Sequence, residues 1–178
     1  MIKYDHSRLE PISFFTVEEL KALHVLSSEY DLSDLFERPR IFEERSIDYA
    51  YVSSKIEGSA YSKAGVSTLL KYGWTEGGKP LSDALMILDL NSTLIYVMNK
   101  AKDKNVCTKE FVKDIHAMTT SHQLTDAAKG LVRKDAVEIT GSEYRPLESP
   151  VQLNAEFDYL IDVLNGIEDP FEPAAYVH

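Results

Sequence analysis

The sequence predicts a mainly α-helical bundle that carries one β-hairpin. Three observations lead there. Apolar residues recur at helical spacing in one segment after another, and those segments open on capping residues and close on glycine. Alternation of apolar and polar residues, the strand pattern, occurs only around Ala136-Val137-Glu138-Ile139.

Residues 1–15 read as an irregular arm around Pro11 and Phe14-Phe15. Thr16 and Glu19, three apart, form a capping box for a first helix to about Ser27, with Leu20, Leu23 and Leu26 as its buried stripe. Ser33–Arg38 is a short helical turn before Pro39. Ile41–Lys55 has no proline or glycine and reads as a helix, with Ile41, Phe42, Ile47, Tyr49 and Val52 as its apolar contacts and Gly58 placed to close it. Ser62 caps Lys63–Tyr72, which Gly73 stops. Leu81–Ala101 is the longest pattern, with Leu81, Leu85, Leu88, Ile95 and Met98 at helical spacing, so it reads as a central, largely buried helix. Thr108 caps Lys109–Thr120, buried through Phe111, Ile115 and Met118. Ala136–Ile139, the turn Thr140–Glu143 and an extended piece from Tyr144 make the hairpin. Ser149-Pro150 opens a helix lined by Leu153, Phe157, Leu160, Ile161 and Leu164, Gly166 ends it, and Asp169-Pro170 begins another that runs to His178.

The 178 residues carry a formal charge of −10, from 29 acidic and 19 basic side chains. That balance repels nucleic acid and anionic membranes, so neither is expected as a partner. Cys107 stands alone, which excludes an internal disulfide and a cysteine-rich zinc site. No signal peptide is visible, and no window is read as approaching the apolar length of a membrane span. A cytoplasmic setting fits these features.

Ser53-Ser54-Lys55-Ile56-Glu57-Gly58 is the stretch least like ordinary helix. Ser53 and Glu57, four apart, share a face, and Glu57 puts a carboxylate at the negative end of the helix dipole. Such a group is either simply solvated or kept there to meet a cation from another segment. The five histidines have no metal-site spacing, and His24 and His116 read as structural. Asn91, amid the longest helix, reads as an amide bonded to a neighbouring loop. No phosphate-binding glycine loop and no recognisable nucleophile are present.

Ser53–Gly58 resembles the pattern S/T-x-x-x-E-G/N of the inhibitory helix in Fic-domain proteins (filamentation induced by cAMP), in the order of the subclass whose inhibitory helix precedes the core. Ser62, Val66, Leu69, Leu70 and Gly73 resemble the next helix, Asp83–Tyr96 around Asn91 the long central one, and Phe111–His116 the helix before the flap. Gly130, Arg133, Val137, Ile139 and Gly141 resemble the flap, followed by Pro146, Ser149 and Pro150, with Leu147 where a second proline is common. The resemblance implies residues 45–178 as the N-terminal part of a Fic domain and 1–44 as an arm with helices. It also implies a Fic-like bundle with a hairpin flap and the C-terminal part of the core missing.

The activity it implies is AMP transfer from ATP to a hydroxyl of a target protein, with magnesium, through the signature H-x-F-x-D/E-G-N-K/G-R-x-x-R. That signature does not occur in the chain, so no catalytic residue or metal ligand is assigned. The chain reads as truncated before it and is expected to be inactive, with ATP and Mg not bound productively. Glu57 is implied to pair with the second arginine of the signature, Ser53 to steady Glu57, and Gly58 to close the helix. Without that arginine, Glu57 is expected to be an ordinary solvated carboxylate. Lys134–Tyr144 is implied as the target-aligning flap, with Lys134, Val137, Glu138, Ile139, Thr140 and Gly141 on it. The alternative is a catalytically dead regulatory module whose hairpin edge binds a partner strand. Uncovered apolar surface on the central helix leads to an expectation of self-association.

Overall fold

The computed structural model describes residues 2–29, 37–101 and 107–177. Its α-helices are α1 (Val17–Ser28), α2 (Pro39–Ile56), α3 (Lys63–Tyr72), α4 (Leu81–Ala101), α5 (Lys109–Thr119), α6 (Pro150–Gly166) and α7 (Phe171–Val177). A 3-10 turn at His6–Leu9 and two short strands, β1 (Ile2–Lys3) and β2 (Tyr144–Arg145), complete the described elements. The protein is mainly helical, as its periodicity predicts. Residues 33–36 of the expected turn before Pro39, and His178, lie outside the described residues.

The chain divides into two compact units. Among described residues, the first comprises 37–101 and 113–130, the second 2–29, 107–112 and 131–177.

In the first unit α2, α3 and α4 pack on one another. Ala50 and Ala84 let backbones approach, while Ile47, Tyr61, Val66, Leu69 and Ile87 fill the space between them. Burying each aliphatic side chain of this set contributes about 1.5–3 kcal/mol. The Ser62 hydroxyl accepts from the Gly65 amide to cap α3, and Gly73, at a φ of 73°, closes it.

The apolar faces differ from those expected. On α4 the buried residues are Ala84, Met86, Ile87, Asp89, Leu90 and Thr93, while Leu81, Leu88 and Ile95 are exposed. The helix is apolar on several sides, so periodicity alone could not choose the side that packs. On α2, Ile47 is buried and Phe42 half-buried, but Ile41, Tyr49 and Val52 are exposed; on α1, Leu26 is exposed. Helix α4 is also long and apolar enough to cross a membrane by length and composition, with a mean hydropathy of 1.3 over its best window, against the sequence reading. A third of that window is buried inside the protein.

In the second unit β1 lies parallel to β2, with Ile2 opposite Tyr144 and Lys3 opposite Arg145. The N-terminal arm is tied down by charged and polar groups. The Glu172 carboxylate, buried at 7% exposure, accepts from the Phe14 amide at 2.8 Å, the Ser13 hydroxyl at 2.9 Å and the Phe15 amide at 3.3 Å. His6 meets Glu156 at 2.6 Å and His24 meets Asp169 at 2.7 Å. The Tyr176 phenol donates to the Leu9 carbonyl.

The expected hairpin is not formed. The turn is present, with the Ser142 amide donating to the Ile139 carbonyl at 3.1 Å and Gly141 at a φ of 76°. However, Ala136–Ile139 is irregular, and Tyr144–Arg145 pairs with β1 instead. Side chains hold the loop in place of a ladder: Arg145 pairs with Glu138, and the Arg133 guanidinium donates to the Leu147 carbonyl.

Candidate functional site

The candidate site is the C-terminal end of α2. Gly58, at a φ of 89°, donates its amide to the Lys55 carbonyl at 3.0 Å, and Ser59 donates to Ser54 at 2.9 Å. These two bonds and the left-handed glycine form a Schellman motif, which ends a helix sharply and satisfies its last carbonyls. A Cβ on Gly58 would meet no atom, so glycine is required there by its backbone angle rather than by space.

The segment that follows is fixed as firmly. Ser54, Ser59 and Tyr61 are buried. The Ala60 amide donates to the Asp83 carboxylate at 2.8 Å, and the Ser62 amide to Glu76 Oε2 at 2.8 Å. The Glu76 amide in turn donates to the Tyr61 phenol oxygen at 3.3 Å. Lys55 Nζ donates to the Ser59 carbonyl at 2.9 Å and lies 5.8 Å from the Tyr51 ring centroid. The cation of the last turn is thus committed to the helix end, where it favours the dipole.

Glu57 is exposed, and its carboxylate makes no hydrogen bond or ion pair with any described residue. Its amide donates to the Ser53 carbonyl at 3.2 Å. Ser53 is half-buried, and among the described residues no bond joins its hydroxyl to the Glu57 carboxylate. Tyr49, Val52 and Ile56 fall on the same face as Ser53 and Glu57, and Ile56 is 80% exposed. A rigid helix end therefore shows a carboxylate beside an apolar stripe. Such a surface suits a partner that brings a guanidinium and apolar side chains together.

The expected flap residues lie in the other unit. Lys134, Val137, Glu138, Ile139, Thr140 and Gly141 are all exposed on the loop that Arg133 and Arg145 brace. Without the hairpin, no long strand edge is offered there to a partner peptide. Beside this loop, a cleft of about 660 Å³ is lined by Lys3, Tyr4, Glu138, Arg145, Leu147 and Ser149 among others. Burial, with the neighbouring Glu156 carboxylate, pushes the Tyr4 phenol up to about 12.

The groups around Glu57 do not fit a magnesium nucleotide. Lys55 is engaged, and among the described residues no three His, Cys, Asp or Glu side chains converge as metal ligands.

Sequence reasoning missed the buried carboxylate of the first unit. Asp89, 5% exposed, accepts from the His122 amide at 2.9 Å and meets His122 Nδ1 at 2.7 Å. Asn91, the amide singled out for a loop contact, is only half-buried. A charge within the apolar run Met86–Leu90 was the available signal. His24 and His116 do serve structure, through Asp169 and the Gly130 amide respectively. No family model and no curated protein sequence matches the chain.

Proposed function

We propose that this chain belongs to the Fic-domain family and carries its inhibitory helix, α2, ahead of a protein adenylyltransferase core. In this reading Glu57 meets the second arginine of the histidine-led signature and holds the ATP γ-phosphate site in an unproductive state. Gly58 sets the helix end from which Glu57 projects, and the loop Lys134–Tyr144 aligns the target protein. The observation that carries the reading is the Glu57 carboxylate, without a partner among the described residues, on a helix end closed by a Schellman motif. A rigid display of an unfavourably placed charge is what a cation supplied from another segment requires. The 178 residues contain no signature, hence no base and no magnesium carboxylate of that kind, and by themselves transfer no AMP. Exposed Leu81, Leu88 and Ile95 on α4 support self-association or cover by another segment. A cytoplasmic setting belongs to the same proposal.

The test begins with the coding sequence beyond the His178 codon, in all three frames. Finding H-x-F-x-D/E-G-N there supports the proposal; unrelated sequence after a stop removes it. In a chain extended through that motif, Glu57→Gly should raise incorporation of the AMP moiety from labelled ATP about tenfold or more, the equivalent of one charge-assisted hydrogen bond. No rise over wild type would end the inhibitory role of Glu57.

A further inference from the structure

We propose that the loop from Thr120 to Gly130 is latched by the neutral imidazole of His116 and unlatches when that ring takes a proton. The inference stands whether or not the transferase reading does.

The latch is one hydrogen bond with a fixed direction. The Gly130 amide donates to His116 Nδ1 at 2.9 Å, so Nδ1 must offer a lone pair and the ring proton must sit on Nε2. A second proton on the ring makes Nδ1 a donor and sets it against the amide. The bond then changes from attraction to repulsion between two N–H groups. Imidazole is the side chain whose charge ordinarily changes between pH 5 and 8.

Gly130 is seated for this contact. Its φ is 65°, and a Cβ there would stand 3.0 Å from the Lys113 carbonyl and 3.3 Å from the Ala117 methyl. The backbone thus lies directly on α5, against the residue three before His116 and the one after it, an approach only glycine allows. The rest of the loop is a series of turns, with Ala128 and Lys129 donating to the Thr125 carbonyl.

The charged groups on the elements that meet His116 do not supply a competing switch. On its own helix these are Lys113 and Asp114, the latter bound by the Tyr96 phenol of α4 at 2.9 Å. On the loop Lys129 pairs with Asp126 at 2.7 Å, and that bond holds the Asp126 carboxyl below its usual range, so the pair persists through mild acid. Near the start of the loop, His122 answers a proton in the opposite sense. Its Nδ1 faces the buried Asp89 carboxylate, which accepts a hydrogen bond from either ring form. Acid therefore frees the Gly130 end while the His122 end stays bound.

The experiment is amide exchange by NMR, expressed as protection factors so that the intrinsic pH dependence is removed. Between about pH 7.5 and about pH 5, protection at Gly130 should fall about fivefold to tenfold, the size of one lost neutral hydrogen bond. Protection at Gly73, which donates to the Leu69 carbonyl at 2.9 Å, should hold. His116→Asn places a non-titrating acceptor where Nδ1 lies, and the pH dependence at Gly130 should disappear. Constant protection at Gly130 in the wild type, or an equal fall in His116→Asn, would overturn the proposal. A readout independent of any variant is the His116 tautomer from ring nitrogen shifts at neutral pH. The Nε2–H form is expected, and the Nδ1–H form would overturn the latch.

Discussion

Replacing glycine by alanine inside a helix ordinarily stabilises it by up to about 1 kcal/mol. Gly65→Ala is expected to do the reverse. Gly65 is buried in the first turn of α3, and a Cβ there would stand 2.0 Å from Glu76 Oε2, 2.7 Å from Glu76 Cδ and 3.1 Å from Glu76 Cβ. The clash runs along the whole glutamate side chain, so turning the carboxylate alone does not relieve it. Glu76 must leave the Ser62 amide, which it accepts at 2.8 Å. A hydrogen bond to a charged group contributes about 1.5–3 kcal/mol, and its place at a helix N-terminus about 0.3–1 kcal/mol more. Set against the propensity gain, the net loss is about 1–3 kcal/mol. Urea unfolding followed by circular dichroism measures it, provided the m-value is unchanged. In a Glu76→Ala background only the Cβ contact at 3.1 Å remains, and the cost of Gly65→Ala should fall sharply. The cycle separates the Gly65–Glu76 coupling from the loss of the cap itself. If Gly65→Ala stabilises the protein with Glu76 in place, the carboxylate moves aside freely and the reasoning is wrong.

Two further outcomes follow from buried carboxylates. Asp89→Asn keeps the shape but removes the charge that holds His122, and should cost about 1.5–3 kcal/mol in urea unfolding; an unchanged midpoint would show that this contact adds no stability. The second outcome concerns acid. The Phe14 amide, with Ser13 and Phe15, holds the Glu172 carboxyl below its usual range, and the His24 bond with the Phe171 amide does the same for Asp169. A carboxyl depressed in the folded state contributes stability above its unfolded value that is lost as pH falls through the folded one. The second unit should therefore loosen below about pH 4, in the range of free carboxylates. Exchange at the Phe14 amide reports the effect, and Glu172→Gln should already show the loosened arm at neutral pH. A variant with wild-type protection at Phe14 would refute the anchor.

Helices were legible because their ends are settled locally. Thr16 and Glu19 form the capping box that their spacing announces, Ser62 and Gly73 bound α3, and Gly58 closes α2. Each of these signals acts within about one turn of chain. What failed depended on partners far away in sequence. Tyr144–Arg145 carries a plausible hairpin pattern, but its backbone is taken by Ile2–Lys3, which no local rule pairs with it. Likewise α4 is apolar on several faces, and it is packing with Ile47, Ala50, Tyr61, Val66 and Leu69 that buries Ala84 and Ile87 while Leu81 and Leu88 stay exposed. At the site itself, Ser53, Glu57 and Gly58 were readable as a motif. The clamps by Glu76 and Asp83 were not, since a carboxylate bonded to a distant amide looks like any surface acid in one dimension.

The parallel ribbon of β1 and β2 has a consequence for how the chain is made. Ile2 and Lys3 leave the ribosome well before their partners Tyr144 and Arg145 and before the Glu172 that holds the arm. The α2–α4 core joins segments close in sequence and can close while synthesis continues. The arm has to wait, with the Phe14 and Phe15 amides still bonded to water, until the Glu172 carboxylate of α7 is released.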